Sequence, residues 1–119
     1  MAKFVKINND NKECLVVHFL KTSFNIFEKN ELALQVEKAL KRNHFPHTIF
    51  DLSNFEHIDS IGIGFFIATK NIFKENQKEM ALVCSKKVEE IFQTVRMERF
   101  CRIYTSLDNA KECMYQLCI

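Results

Sequence analysis

The chain has 119 residues, of which 47% are hydrophobic, and a net charge of +2 from 17 Lys and Arg against 15 Asp and Glu. This length predicts one domain over residues 1–119 with an ample core, and the near-neutral charge excludes a general electrostatic affinity for nucleic acid. The longest apolar run, residues 61–68, is far shorter than the ~20 residues that span a bilayer. Residues 1–12 contain no apolar signal segment. We therefore expect a cytoplasmic protein that does not insert into membranes.

Two strands and a helix are predicted before residue 45. Residues 4–7 and 14–20 are rich in β-branched and aromatic side chains, and the turn-like residues 8–12 between them indicate a hairpin. Between residues 28 and 42 the apolar side chains recur at helical spacing, and they are Leu32, Val36, Ala39 and Leu40.

Three strand–helix units are predicted in the rest of the chain. Their strands are TIFDLS (48–53), MALVC (80–84) and CRIY (101–104). The first of these helices extends to about residue 76, with Ile61, Phe65, Ala68, Ile72 and Phe73 on its apolar face. Ser85 is a candidate N-cap for the second helix, and Ser106 or Asp108 for the last.

The predicted element order is β-β-α-β-α-β-α-β-α. Strands that alternate with helices indicate an α/β fold whose mixed, mostly parallel sheet is covered by about four helices. The initial hairpin adds an edge strand to that sheet.

The cysteines and histidines do not form a recognisable site. Five cysteines are an odd number without a Cys-x-x-Cys pair, a pattern that fits neither a disulfide framework nor a zinc site. Most are expected to be small buried side chains. No two histidines are four residues apart on a predicted helix. We predict no bound metal and no cofactor.

Both glycines of the chain, Gly62 and Gly64, lie in the stretch FEHIDSIGIGFF. Asp59 and Ser60 precede them at the carboxyl end of a predicted strand, where ligand sites of open α/β sheets gather. A serine at a helix N-terminus has its hydroxyl beside unpaired N–H groups and the positive end of the helix dipole, which favours a phosphate there. Ser60 is therefore a candidate phosphorylation site that the glycines would leave uncovered.

The same stretch also allows a purely structural interpretation. Asp59 or Ser60 could cap the helix, and the glycines could permit tight packing of helix on sheet. Nucleotide binding and serine hydrolysis have no support, because Ile67 replaces the third glycine of a dinucleotide fingerprint and neither a P-loop nor a Gly-x-Ser-x-Gly elbow is present.

The stretch DLSNFEHIDSIGIGFF (51–66), supported by VEEIFQTVRMERFCRIYTSLDNA (88–110), resembles the STAS domain family and, within it, the stand-alone bacterial anti-sigma factor antagonists. The resemblance covers residues 4–114. It implies a non-enzymatic switch protein whose Ser60 is phosphorylated by a cognate anti-sigma factor that is an ATP-dependent serine kinase. The unphosphorylated form would bind that kinase and release a sigma factor, and a serine phosphatase would restore it.

One surface around Ser60 is expected to bind the partner. Its predicted contacts are Asp59, Ile61, Gly62, Gly64, Asn25 and Phe24, with Phe65 or Phe66 included if exposed, although Phe65 is expected in the core. Two other functions stay open. One is a STAS subunit that stabilises a transporter ATPase without phosphorylation, and the other is a small enzyme that uses Ser60 or a cysteine.

The sequence departs from the family pattern at three places. TSFN puts Thr22 and Asn25 where the family often has a glycine and an aspartate. Ile61 stands where a second hydroxyl residue often follows the phosphoserine. Arg96 replaces a glycine that is common at the end of the third helix.

Overall fold

The computed structural model describes residues 3–11 and 13–118. Within them, five strands form one sheet in the order β1-β2-β3-β4-β5. The strands are β1 Val5–Asn11, β2 Cys14–Phe19, β3 His47–Asp51, β4 Met80–Val83 and β5 Arg102–Tyr104. β1 is antiparallel to β2, and all the other neighbours are parallel. The predicted mixed, mostly parallel sheet with a hairpin at one edge is confirmed.

In the part of the chain that the structure describes, four α-helices connect or follow these strands. They are α1 Lys29–Arg42, α2 Ser60–Glu75, α3 Lys86–Thr94 and α4 Leu107–Gln116, and a short 3-10 helix, Met97–Arg99, precedes β5. The Ser85 hydroxyl accepts from the Val88 N–H, and the Ser106 hydroxyl accepts from the Asn109 N–H. Both predicted N-caps are therefore present, and Ser106 rather than Asp108 caps α4.

The two faces of the sheet carry different cores because successive strand side chains point to opposite faces. On β2, Leu15, Val17 and Phe19 join a large core with side chains from α1, α2 and α3. Cys14 and Val16 join a smaller core with α4. Three helices thus cover one face and one helix covers the other.

The hairpin turn is shorter than the sequence indicates. A turn is predicted from Asn8, but β1 continues to Asn11, which pairs with Cys14 after an irregularity in the register. Lys12 lies outside the described residues.

The buried face of α2 also differs from the prediction. It consists of Gly62, Phe65, Phe66, Thr69 and Phe73, whereas Ala68 is exposed and Ile72 is 47% exposed. Phe66 is buried in place of Ile72 because its ring packs against the sheet, with its centroid 5.8 Å from that of Phe19 and 5.8 Å from that of Phe50. Thr69 tolerates burial because its hydroxyl donates to the Phe65 carbonyl at 2.7 Å.

Three of the five cysteines are buried, as predicted for most of them: Cys14, Cys84 and Cys101. Burial raises the pKa of each of these thiols to about 12. They therefore stay protonated near neutral pH, and a protonated thiol is a poor nucleophile.

Among the described residues, no group of three or more His, Cys, Asp and Glu side chains could hold a metal ion. None of the helices that the structure describes is both long enough and apolar enough to cross a membrane.

Candidate functional site

Two loops meet beside Ser60 at one edge of the sheet. Residues 20–28 follow β2 and residues 52–59 follow β3, and these strands are parallel neighbours, so both loops emerge at the same edge. The Glu56 N–H donates to the Thr22 carbonyl at 3.2 Å, and the Asn54 side chain donates to the Phe19 carbonyl at 3.3 Å. The loop after β2 and the loop that leads to Ser60 therefore lie next to each other, as predicted.

A polar cluster fixes the start of the 52–59 loop. Asp51 Oδ2 lies 2.7 Å from His18 Nδ1, and Asp51 Oδ1 accepts from the Ser53 N–H at 3.0 Å and from the Ser53 hydroxyl. The sequence does not predict this cluster, because His18 and Asp51 are 33 positions apart and a pair across two strands leaves no local pattern. It ties β2, β3 and the loop together ahead of α2.

Asp59 is the N-cap of α2. Its Oδ1 accepts from the Ile61 N–H at 3.0 Å and from the Gly62 N–H at 3.2 Å. The expectation that Ser60 lies beside unpaired N–H groups is therefore wrong for these two donors. A phosphate on Ser60 would compete with the Asp59 carboxylate for them and would repel its charge.

Ser60 is the first residue of α2 and is exposed. Among the described residues its hydroxyl takes part in no hydrogen bond. Three other serines differ in this respect, since Ser53 donates to Asp51 and the hydroxyls of Ser85 and Ser106 cap helices. The exposed Ser23 also has no hydrogen-bond partner among the described residues, but it lies in a loop, whereas Ser60 has a free hydroxyl at the first position of a helix.

The two glycines have different roles. Gly62 is buried, and a Cβ there would lie 2.7 Å from both Ile58 Cγ1 and Phe24 Cδ2. A Cβ at the exposed Gly64 would have no atom within 4 Å apart from its chain neighbours and the nearby backbone of its own helix, and neither glycine has a positive φ. The expectation that both glycines keep Ser60 uncovered is thus corrected. The missing side chain of Gly62 makes room for Phe24 and Ile58, and only Gly64 leaves open space at the surface.

Phe24 closes the core beneath this edge. It is half-buried, and its ring centroid lies 5.2 Å from that of Phe55, 5.3 Å from that of Phe65 and 5.6 Å from that of Phe66. Phe65 and Phe66 are core residues, as expected for Phe65. Of the predicted contacts, Asn25, Asp59 and Gly64 are exposed, Phe24 and Ile61 are half-buried, and Gly62 lies below the surface.

Two exposed apolar residues beside this site were missed by the sequence analysis. Ile26 is 62% exposed and Phe27 is 92% exposed. They follow Asn25 and precede α1. Two adjacent apolar residues between a polar turn residue and the charged start of a helix are the sequence pattern that could have indicated exposed side chains here.

The STAS domain family model matches residues 6–110, and the chain belongs to this family. No curated protein sequence matches the chain at a significant level.

Solved structures share the fold over almost the whole chain. A protein of Thermotoga maritima, described as a candidate anti-sigma factor antagonist, is 23% identical with a TM-score of 0.74, covering 93% of this chain and 92% of its own. An anti-sigma factor antagonist of Mycobacterium paratuberculosis is 16% identical with a TM-score of 0.79 and the same coverage, 93% and 92%. The antagonist SpoIIAA in its unphosphorylated form is 13% identical with a TM-score of 0.71, covering 92% of this chain and 95% of its own.

Proposed function

We propose that this protein is an anti-sigma factor antagonist that regulates transcription by partner switching at Ser60. In its unphosphorylated form it binds a cognate anti-sigma factor that is also a serine kinase, and a sigma factor is released. Phosphorylation of Ser60 ends this binding, and a serine phosphatase reverses it. The protein acts by binding, so ATP and Mg²⁺ belong to the kinase.

The observation that carries the proposal is the exposed, unengaged Ser60 hydroxyl at the first position of α2. It lies at the edge of the sheet where the loops after β2 and β3 meet, so a kinase docked there would contact more than the hydroxyl. Membership of the STAS family and the fold shared with anti-sigma factor antagonists support the same function.

Phosphate at Ser60 changes the charge of this edge by about −2. Asp59 is adjacent, and its carboxylate already accepts from the Ile61 and Gly62 N–H groups, so the new charge is poorly neutralised within the chain. A partner docked against this edge would face two neighbouring anions. Charge repulsion and desolvation then disfavour the docked state.

The test begins with the partner. Proteins that co-purify with the tagged chain are identified by mass spectrometry, and a captured anti-sigma factor is purified and incubated with the chain and Mg-ATP. We expect phosphate on Ser60 alone, constitutive binding by Ser60→Ala and weakened binding by Ser60→Asp. Phosphate on Ser53, Ser85 or Ser106 with Ser60 unmodified would contradict the proposal, and so would stoichiometric capture of a transport ATPase instead.

A further inference from the structure

The loop between β2 and α1 exposes two large apolar side chains in succession. Phe27 has 92% of its surface in water and Ile26 has 62%. Phe27 is the most exposed of the large hydrophobic residues that the structure describes. Exposed apolar surface that is rimmed by polar residues marks protein–protein contact sites on soluble proteins.

We infer that Ile26 and Phe27 form the hydrophobic anchor by which this chain docks into an apolar pocket of its anti-sigma factor. The inference rests on the proposed function and names the residues that would supply most of the affinity. Aromatic side chains are over-represented among the few interface residues that carry the binding energy.

The backbone presents this anchor in a defined conformation. Asn25 Oδ1 accepts from the Phe27 N–H at 2.8 Å, and the Asn25 carbonyl accepts from the Glu28 N–H at 3.0 Å. Lys21 Nζ lies 3.4 Å from Glu28 Oε2 across the base of the loop. An anchor that is already ordered loses less conformational entropy on binding. Asn25 is therefore a positioning residue for Phe27.

The anchor belongs to the same surface as Ser60. Phe24 immediately precedes the turn and packs on Gly62 in the first turn of α2, while Thr22 is bonded to Glu56 in the loop that leads to α2. The loop that carries Phe27 is therefore tied through Phe24 and Thr22 to α2 and to the loop that leads to it. The loops after β2 and β3 also carry exposed polar residues that would form the rim of an interface, namely Thr22, Asn25, Glu56 and Asp59.

The partner that would cover the anchor is the kinase, because the anchor and Ser60 lie at the same edge of the sheet. A kinase that phosphorylates Ser60 must lie over the edge that carries the anchor, and a typical interface covers ~800 Å² on each partner. The exposed Phe100 serves as a contrast, because it precedes β5 and lies toward the opposite edge of the parallel strands.

The experiment measures the affinity of the purified anti-sigma factor for four forms of the full chain: wild type, Phe27→Ala, Phe27→Leu and Phe100→Ala. We expect Phe27→Ala to raise the Kd at least about tenfold, Phe27→Leu to recover most of the affinity, and Phe100→Ala to remain within about twofold of wild type. Melting temperatures should match, since the Phe27 side chain is 92% exposed. Phosphorylation of Ser60 in Phe27→Ala should show a raised KM and an unchanged kcat.

The possible failures are distinguishable. If wild type binds and is phosphorylated but Phe27→Ala binds equally well, the anchor is refuted and the proposed function stands. If the anti-sigma factor neither binds nor phosphorylates wild type, the anchor and the proposed function are both refuted. Wild-type dimers that Phe27→Ala dissociates, with unchanged kinase affinity, would assign the surface to a second copy of the chain and overturn the anchor.

Discussion

Phe24 lies directly against the missing side chain of Gly62, since a Cβ at position 62 would come within 2.7 Å of Phe24 Cδ2. The contact joins the loop after β2 to the first turn of α2. The loop that carries the predicted partner contacts is thereby held in a fixed position relative to Ser60.

Gly62→Ala should destabilise the protein, because both Phe24 and Ile58 must move to admit the methyl group. Overpacking costs about 1–3 kcal/mol, and the better helix propensity of alanine returns up to about 1 kcal/mol. A net loss of roughly 1–2 kcal/mol should appear in urea unfolding. Gly64→Ala is the matched control and should gain about 0.5–1 kcal/mol, as its Cβ enters open space. Equal gains in both variants would show that Gly62 has no packing role.

Asp59→Asn should reduce the loss of folding stability that phosphorylation of Ser60 causes. Asparagine caps a helix about as well as aspartate but carries no charge to repel the phosphate. We expect phosphorylation to lower the unfolding free energy of wild type by about 0.5–1 kcal/mol more than that of the variant. Denaturation of the modified and unmodified forms measures the difference. Asp59→Ala, which removes the cap, should lose about 1 kcal/mol even without phosphate. An identical phosphate effect in wild type and Asp59→Asn would exclude repulsion by Asp59.

Arg96→Gly should stabilise the protein. Arg96 follows the last turn of α3 with φ 57° and ψ 40°, a left-handed conformation that disfavours side chains. Its N–H donates to the Gln93 carbonyl at 3.0 Å, a bond that glycine preserves. The gain should be about 0.5–1 kcal/mol. Gln93→Gly, inside α3, should instead lose about 1 kcal/mol. A fall in melting temperature for Arg96→Gly would show that the arginine side chain makes a compensating contact.

Stability should decline as pH rises from about 9 to 12. Burial raises the pKa of Cys14, Cys84 and Cys101 from 9.0 to about 12. In this window the unfolded chain releases thiol protons that the folded chain retains, so unfolding becomes more favourable at higher pH. Thermal melts between pH 8 and 11 should show the decline, and Cys101→Ala should make it shallower despite a lower starting stability. The same slope in wild type and variant would assign the decline to other groups.

The sequence by itself determined the order of the elements and the position of the Ser60 motif. Helical spacing placed Leu32, Val36 and Leu40 in the core, and Ser85 and Ser106 capped the predicted helices. These features depend on interactions within a few residues, which periodicity and capping rules describe directly. The resemblance to the STAS family came from the same local pattern.

Only the tertiary structure decided which side of α2 is buried and what each glycine does. Ile72 and Phe66 are equally apolar in a helical pattern, and the choice between them depends on how α2 packs against Phe19 and Phe50 of the sheet. Gly62 and Gly64 are two residues apart and indistinguishable by type, yet Phe24, 38 positions before Gly62, covers only one of them. The exposure of Phe27 likewise depends on the turn that Asn25 closes and on a core already filled by its neighbours. Contacts between residues distant in sequence carry this information, and local patterns do not contain it.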